Sequence, residues 1–215
     1  YALRDVTSTV DNLSLIASSV MSKKLAAGAD AILLDVKTGN GAFMKEIDDS
    51  FALAKEMVAI GSKMKRDTIA VITDMEQPLG FTIGNANEVL EAINTLKGSG
   101  PDDLLELSTT LAVEMLILGN LADNEEDGIA MVKQVIANGS AYQCFCNFLQ
   151  LQGVSREIVD TLEQHLTPDS NRVEVRAKKS GYIHAIPAEE VGRATMMLGA
   201  GRLTKESVID PYVGI

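Results

Sequence analysis

The chain has only two cysteines and two histidines among its 215 residues. Cys144 and Cys146 stand two positions apart, which is too close to staple a fold, and no second cysteine pair completes a zinc site. We therefore expect reduced thiols in a cytoplasmic protein. His165 and His184 have no serine, cysteine or metal-ligand partner at a useful spacing, so neither is assigned a catalytic role.

The chain also lacks a run of about 18 consecutive apolar residues, which argues against a transmembrane helix. Its opening residues do not resemble a signal peptide. It has no dense cluster of basic residues, and its net charge is −11. Both properties argue against nucleic acid or an anionic membrane surface as a partner. Hydrophobic residues make up 46% of the chain, enough for a sizeable core in a soluble protein.

Two short apolar runs near the start of the chain predict buried strands. Residues 31–37 (AILLDVK) end in a charge followed by glycines, and residues 68–73 (TIAVIT) form the second run. Helical patterns precede, separate and follow them. This alternation predicts an α/β fold with a mostly parallel mixed sheet flanked by helices.

Capping signals and glycines predict the helix ends. We expect a helix over residues 8–28, starting at a capping box on Ser8 and ending at Gly28. A second amphipathic helix is expected over residues 47–66, and a third over residues 85–97. The second would bury Phe51, Ala54, Val58 and Met57, and the third would be capped by Asn85 with Glu88 three positions later.

The second half of the chain has a different pattern. Residues 101–163 are helical with breaks at Gly119, Gly139 and Gly153, and residues 167–171 suit a linker. Residues 173–186 alternate like exposed strands, and residues 187–199 suit a short helix. We predict three parts: residues 1–28 in a small all-α domain, 29–170 in a large α/β domain with a helical segment, and 171–215 at the start of an α+β carboxyl-terminal domain. The abrupt ends suggest a piece of a longer protein.

Arg4, Ser19 and Lys23 are the first candidate functional group. Ser19 and Lys23 are four positions apart, so on a helix both side chains share one face. Two cations and a hydroxyl could hold a planar ligand with carbonyl oxygens and an N–H group. A structural role is also open, because Lys23 suits a helix carboxyl end and Arg4 can pair with a nearby aspartate.

The turn after the first strand is a weaker candidate. Gly39, Asn40 and Gly41 could bind an anion through backbone N–H groups or simply form a tight turn, and the turn is favoured. Asp35 and Lys37 lie at the carboxyl end of the predicted strand, where α/β folds place ligands.

Four long motifs resemble the thymidine and pyrimidine-nucleoside phosphorylase family, in order and across essentially the whole chain. They are YALRDVT.TV, S.MSKKLAAGADAI.LDVK.G.GAFMK, TDM.QPLG...GNA.EV.EAI.TLKG.GP and GAGR.TKE.VID..VGI. The segments QPLG and MSKK resemble the pyrimidine-nucleoside branch most. Ser8, Asn40 and Thr82 depart from the usual family residues, but none stands at a base-contacting position.

The resemblance implies a pentosyltransferase that cleaves uridine, thymidine or deoxyuridine with inorganic phosphate, giving free base and a pentose 1-phosphate. It implies that Arg4, Ser19 and Lys23 hold the pyrimidine, with Arg4 and Lys23 stabilising its developing negative charge. Val10, Ile16 and Phe43 resemble the apolar wall beside the ring. Ser19 could accept a hydrogen bond from the ring N–H and so favour uracil or thymine.

The resemblance also implies a potassium ion, held by the backbone carbonyls of Leu79 and Thr82 and the carboxylate of Glu91, with a solvated carboxylate as the alternative for Glu91. It implies a homodimer in the full-length enzyme and a phosphate-binding segment that this chain lacks. We therefore expect these residues to supply the pyrimidine side and to be inactive alone. The alternatives are a non-catalytic nucleoside-binding relative and a phosphoribosyltransferase of the same broad fold.

Overall fold

A parallel pair of strands organises the first part of the fold. The computed structural model describes residues 12–167, 172–204 and 206–215. In it, β1 (Ala31–Thr38) pairs with β2 (Asp67–Asp74) in parallel, from Ala31 opposite Asp67 to Thr38 opposite Asp74. Helix α2 (Ile47–Lys63) lies between them in sequence, as a parallel pair requires a crossover. Both predicted strands and the α/β fold class are confirmed, but β2 is only half-buried, with none of its residues fully buried.

Helix α1 (Leu13–Ala26) precedes the first strand. The side chain of Asn12 accepts a hydrogen bond from the N–H of Leu15 at 3.1 Å, which makes Asn12 the N-cap. The predicted helix start at Ser8 lies outside the described residues, and the described helix begins at Leu13. Gly28 follows the helix with φ of +77°, so the predicted glycine stop is confirmed.

One apolar cluster joins α1, β1 and α2. Alternate residues of β1 point into it, because side chains alternate across a strand, and the facing residues of the helices complete it. Its buried members are Ile16, Ala17, Met21, Ile32, Leu34, Val36, Met44, Leu53, Ala54 and Met57. The packing of this cluster therefore fixes the position of α1 relative to β1 and α2.

The buried face of α2 differs from the predicted one. Ser50, Leu53, Ala54, Met57 and Gly61 are buried, which matches the period of an α-helix. The prediction for Phe51 was wrong, because its side chain is 49% exposed. Successive residues lie about 100° apart around a helix, so Ser50 and Phe51 face different directions. The small side chain of Ser50 faces the core, where the aromatic ring of Phe51 was expected.

Helices make up most of the remaining chain. They are α3 (Ala86–Leu96), α4 (Asp102–Leu118), α5 (Glu125–Ala137), α6 (Ser140–Leu151), α7 (Arg156–Asp160), α8 (Leu162–Leu166) and α9 (Ala188–Thr195), which continues into a π-helical turn over Met196–Ala200. The predicted breaks at Gly119, Gly139 and Gly153 each fall between helices. None of the helices in the described ranges is long and apolar enough to cross a membrane.

Residues 173–186 do not form the strands that their alternation predicted. They are assigned no helix or strand, and Val173 and Val175 are almost fully exposed. Alternation specifies the two faces of a strand, but a strand also needs a neighbour for its backbone hydrogen bonds. Most of the predicted linker, residues 168–171, lies outside the described part of the chain.

The contacts divide the chain into two compact units. One contains the residues up to Gln77 together with Thr110–Gly128, and the other contains Pro78–Thr109 together with the residues from Ile129 onward. Helix α1 shares its apolar cluster with β1 and α2. The predicted domain boundaries near residues 28 and 170 stay predictions.

A glycine in α2 provides a test of this packing. A Cβ added at Gly61 would lie 2.0 Å from Oγ1 of Thr68 in β2, so we expect Gly61→Ala to lower the free energy of unfolding by about 1–3 kcal/mol. Gly192→Ala in α9 is the control, because its Cβ would meet nothing within 4 Å and alanine favours helices. Urea unfolding measures both. Equal stability of the two variants would contradict the close packing of α2 on β2.

Candidate functional site

Helix α1 carries three of the predicted pyrimidine-binding residues, Ile16, Ser19 and Lys23. Ser19 is half-buried and Lys23 is exposed, and their spacing of four places them on one side of the helix. Ile16, one turn before Ser19, is 9% exposed and belongs to the apolar cluster. The helix therefore has a fixed apolar side and presents a hydroxyl and an ammonium group elsewhere on its surface. Arg4 and Val10 lie outside the described residues.

Phe43 lies in the loop that follows β1. Its neighbours Ala42 and Met44 are buried, whereas Phe43 is 69% exposed, so the local alternation turns its ring outward. Met44 packs in the same apolar cluster as Ile16. The structure thus fixes the backbone on each side of Phe43 and leaves the aromatic face accessible.

The glycine turn before Phe43 uses its backbone donors internally. The N–H of Gly39 donates to the carbonyl of Met44 at 3.1 Å, and the N–H of Gly41 donates to the carbonyl of Met75 at 2.9 Å. Gly39 has φ of +111°, and a Cβ there would lie 2.9 Å from the backbone nitrogen of Glu76. These contacts favour the tight turn over the anion cradle, as expected from the sequence.

Asp35 and Lys37 form a closed polar group with Thr73. Lys37 Nζ lies 2.7 Å from Asp35 Oδ2 and donates to Thr73 Oγ1 at 2.9 Å, while Thr73 Oγ1 donates to Asp35 Oδ1 at 2.5 Å. Thr73 is opposite Lys37 in the parallel register, which brings the three together. They cross-link the carboxyl ends of the strands, and sequence spacing alone did not reveal Thr73.

The loop of residues 78–84 surrounds the carboxylate of Glu91, a predicted potassium ligand. Glu91 lies on α3 and is 8% exposed. Its Oε1 accepts a hydrogen bond from the N–H of Phe81 at 3.0 Å. A Cβ added at Gly80 would lie 2.3 Å from Oε2, so the loop backbone lies directly against the carboxylate. Glu91 is therefore largely buried, which disfavours the solvated carboxylate that was the alternative.

Further carboxylates hold the same loop. Asp103, in the first turn of α4, accepts a hydrogen bond from the N–H of Gly80 at 3.0 Å. Glu88 accepts one from the N–H of Gly84 at 2.8 Å. Asn85 occupies the predicted N-cap position of α3, but its side chain makes no capping hydrogen bond there and instead donates to the carbonyl of Ala200 at 2.9 Å.

The last residues of the chain pair with the loop. Ile83 and Ile215 exchange two backbone hydrogen bonds of 2.8 Å, and Gly84 and Gly214 form an antiparallel bridge. Asn87 Nδ2 donates to the carbonyls of both Ile83 and Ile215. Thr82 Oγ1 donates to the carbonyl of Asn87 at 3.2 Å. No local sequence pattern links positions 83 and 215.

A polar cluster anchors the other end of α3. Lys97, the residue that ends α3, forms an ion pair with Glu163 of α8 and lies 4.5 Å from the ring centroid of Tyr142 in α6. The hydrogen bond to Glu163 raises the pKa of Lys97 above its usual value of 10.5. Burial raises the pKa of Tyr142, and its hydrogen bond to Cys146 adds to the shift. At neutral pH Lys97 is charged and the cluster links three helices.

The donor groups around Glu91 suit a hard cation of low charge. Within residues 12–167, 172–204 and 206–215, no three His, Cys, Asp or Glu side chains are grouped so that they could hold a metal ion. At the loop, the donors are instead one buried carboxylate and backbone carbonyl oxygens, which are oxygen ligands. The residues present therefore fit the chemistry of the predicted potassium site.

Two family models match separate parts of the chain. The model described as "Glycosyl transferase family, a/b domain" matches residues 1–142, and that described as "Pyrimidine nucleoside phosphorylase C-terminal domain" matches residues 182–215. The whole chain is also 54% identical to proteins named pyrimidine-nucleoside phosphorylase from Staphylococcus aureus strains USA300, NCTC 8325 / PS 47 and COL. The chain spans about half the length of these curated relatives, 49% of each.

Gly80 and Gly28 offer a matched test of the contact between loop and carboxylate. Both have positive φ, +74° and +77°, so alanine introduces similar backbone strain of about 1–2 kcal/mol at either position. Only at Gly80 does the added Cβ meet an atom, Oε2 of Glu91, within 4 Å. We expect Gly80→Ala to reduce the free energy of unfolding more than Gly28→Ala in urea titrations. The opposite order would show that the loop does not press against Glu91.

Proposed function

Because this chain belongs to the glycosyl transferase family whose α/β domain model matches residues 1–142, we propose that it takes part in the phosphorolysis of pyrimidine nucleosides. In this reaction the bond from the sugar C1′ to the pyrimidine N1 breaks, and its electron pair stays on the pyrimidine. A phosphate oxygen forms the new bond to C1′, and the proton that the hydrogen phosphate carried ends on the pyrimidine, giving free base and a pentose 1-phosphate. The observation that carries the proposal is the 54% identity to pyrimidine-nucleoside phosphorylases over all 215 residues.

Lys23 is proposed as the described cation that acts on the leaving base. Negative charge develops on the pyrimidine carbonyl oxygens as the glycosidic bond breaks. An ammonium group directed at one of them stabilises the transition state more than the bound nucleoside. The exposed position of Lys23 on α1 supports this role. Arg4 is proposed to act in the same way, as the resemblance implies.

The other pyrimidine contacts are proposed to orient the ring. Ser19 would accept a hydrogen bond from the ring N–H, a donor that uracil and thymine have and neutral cytosine lacks at that position. Ile16, Val10 and Phe43 would form the apolar wall. The exposed ring of Phe43 and the packed position of Ile16 support a wall with one accessible aromatic face on a rigid base.

We propose that phosphate enters as co-substrate at residues other than those of the glycine turn. The backbone donors of Gly39 and Gly41 are already engaged within the protein, which supports this division. The described residues then supply the pyrimidine side of the reaction and are inactive alone. We also propose a cytoplasmic homodimer for the full-length enzyme, as the resemblance implies.

A charge substitution at Lys23 tests the pyrimidine site. In the full-length protein, we expect Lys23→Gln to lower kcat/KM for uridine phosphorolysis by about 100-fold, because one stabilising group of the developing charge is lost. Lys24→Gln is the control, since it removes the same charge from the next exposed helix position. Uracil release is measured at saturating phosphate.

Two results would contradict this part of the proposal. Equal activity of the Lys23→Gln and Lys24→Gln variants would remove Lys23 from the site. If the unmodified protein released no base from uridine or thymidine with phosphate, the phosphorylase assignment would be wrong. Equilibrium dialysis with uridine, and an assay of phosphoribosyl transfer to an aromatic amine, would then separate the non-catalytic binder from the phosphoribosyltransferase.

We further propose that the loop of residues 78–84 binds a potassium ion through the carbonyls of Leu79 and Thr82 and the carboxylate of Glu91. The burial of Glu91 against the loop backbone supports this arrangement. A bound ion would offset the charge of the buried carboxylate and hold the loop; bond cleavage would not involve it. Its effect on the reaction would be indirect.

Exchange of the cation tests the ion site. We expect KCl to raise the Tm of the full-length protein relative to tetramethylammonium chloride at equal ionic strength, because a ligand that binds only the folded state stabilises it. Glu91→Gln should remove this rise, whereas Glu157→Gln, at an exposed position on α7, should retain it. Identical Tm values in both salts for the unmodified protein would exclude the ion site.

A further inference from the structure

The peptide group between Leu79 and Gly80 is held by a carboxylate outside the proposed ligand set. Its N–H, which belongs to Gly80, donates to Oδ2 of Asp103 at 3.0 Å. No peptide bond among the described residues is cis. In a planar trans peptide the C=O and N–H point in opposite directions, so the Leu79 carbonyl faces away from Asp103. One hydrogen bond thus sets the direction of a carbonyl that we propose as a cation ligand.

This peptide group needs such a restraint because Gly80 does not provide one. Gly80 has φ of +74°, and a glycine adopts positive and negative φ with similar ease. Rotation of the Leu79–Gly80 peptide would reverse its carbonyl without a Cβ penalty at Gly80. The hydrogen bond to Asp103 is lost in that rotated state, so it favours one orientation.

The second proposed carbonyl ligand is fixed by a comparable contact. The peptide between Thr82 and Ile83 donates its N–H to the carbonyl of Ile215 at 2.8 Å. The Thr82 carbonyl therefore faces away from the carboxyl-terminal strand segment. Each proposed carbonyl ligand is thus oriented by a hydrogen bond from the N–H of the same peptide group, which belongs to Gly80 in one case and to Ile83 in the other.

The two oxygens of the Glu91 carboxylate have different surroundings. One oxygen, Oε1, accepts the N–H of Phe81, whereas Oε2 accepts no hydrogen bond from the residues that the structure describes. The residue is 8% exposed. Oε2 lies against Gly80, beside the same peptide group that Asp103 holds. Oε2 keeps contact with solvent, because no fully buried side-chain oxygen among the described residues lacks a hydrogen-bond partner. A carboxylate oxygen that the protein leaves unpaired can take a hard cation beside it.

From these contacts we infer that Asp103 is a positioning residue for the cation site, holding the Leu79 carbonyl in the orientation that binds the ion. The inference rests on the potassium site proposed above and adds a residue that the family resemblance did not supply. Asp103 acts through the backbone and does not coordinate the ion. Outer contacts of this kind typically change metal affinity by about 10–100-fold when removed.

Substitutions at Asp103 separate this role from a general effect of charge. In the full-length protein, potassium affinity is measured from the dependence of Tm on KCl at constant ionic strength. Asp103→Ala should weaken affinity by about tenfold. Asp103→Asn keeps an acceptor oxygen without the charge and should stay within about threefold of the unmodified protein. Asp102→Ala removes a charge from the same helix turn, where no bond to the loop is made, and should leave affinity unchanged.

The folded state of each variant is checked by circular dichroism. Should Asp103→Ala fail to fold, Asp103→Glu carries the test. It keeps the charge and the acidic first turn of α4 but moves the acceptor by one methylene, and it should weaken affinity several-fold.

Three results would overturn the inference. The first is unchanged potassium affinity in the folded Asp103→Ala variant, or in Asp103→Glu where that variant carries the test. The second is an equal loss of affinity in Asp102→Ala and Asp103→Ala. The third is a loss in Asp103→Asn as large as in Asp103→Ala. If the unmodified protein itself shows no response to potassium, the ion site fails first and the role of Asp103 with it. The Tm of the unmodified protein with and without KCl is enough to tell this failure of the ion site from a failure of the role of Asp103 alone.

Discussion

Parallel pairing of β1 with β2 is the constraint on which the first unit depends. A parallel pair cannot be closed by a tight hairpin, so α2 must cross over and pack on one face of the sheet. That packing buries Ile32, Leu34 and Val36 against α2 and α1. Because both carboxyl ends then lie at one edge, the loop with Phe43 and the Asp35–Lys37–Thr73 group are set by the same pairing. The position of the proposed pyrimidine residues follows from this core.

In the second unit, carboxylates hold the backbone of a loop in place, whereas in the first unit strand pairing holds the backbone. The loop of residues 78–84 has no regular structure of its own, yet its N–H groups are bound by Asp103, Glu91 and Glu88. Hydrogen bonds to charged acceptors are stronger than those between neutral groups. An irregular loop can therefore keep a defined backbone. The proposed ion and these carboxylates would together hold the loop, since the ion would balance the negative charge of the carboxylate that the loop buries.

The two proposed sites use side chains in different ways. On α1, Ser19 and Lys23 would act directly on the ligand, and their helix provides only rigidity. At the loop, the proposed ligands are mostly backbone carbonyls, so the side chains of Leu79 and Thr82 need not be of any particular type. This explains why the departure at Thr82 from the usual family residue is compatible with the ion site: its hydroxyl bonds the carbonyl of Asn87 instead. Substitution is expected to be better tolerated at Thr82 than at Lys23.

The sequence by itself determined the features that depend on neighbouring residues. The two strands, the helix stop at Gly28 and the breaks between later helices follow from local runs and from glycines that take positive φ. Tertiary structure decided which partner each group found. Asn85 stands at the N-cap of α3 but its side chain bonds Ala200. Residues 173–186 alternate but form no strand, and Asp103 reaches Gly80 across 23 positions. Local patterns record the preference of a backbone group for a hydrogen bond, whereas only the folded chain determines which distant group satisfies it.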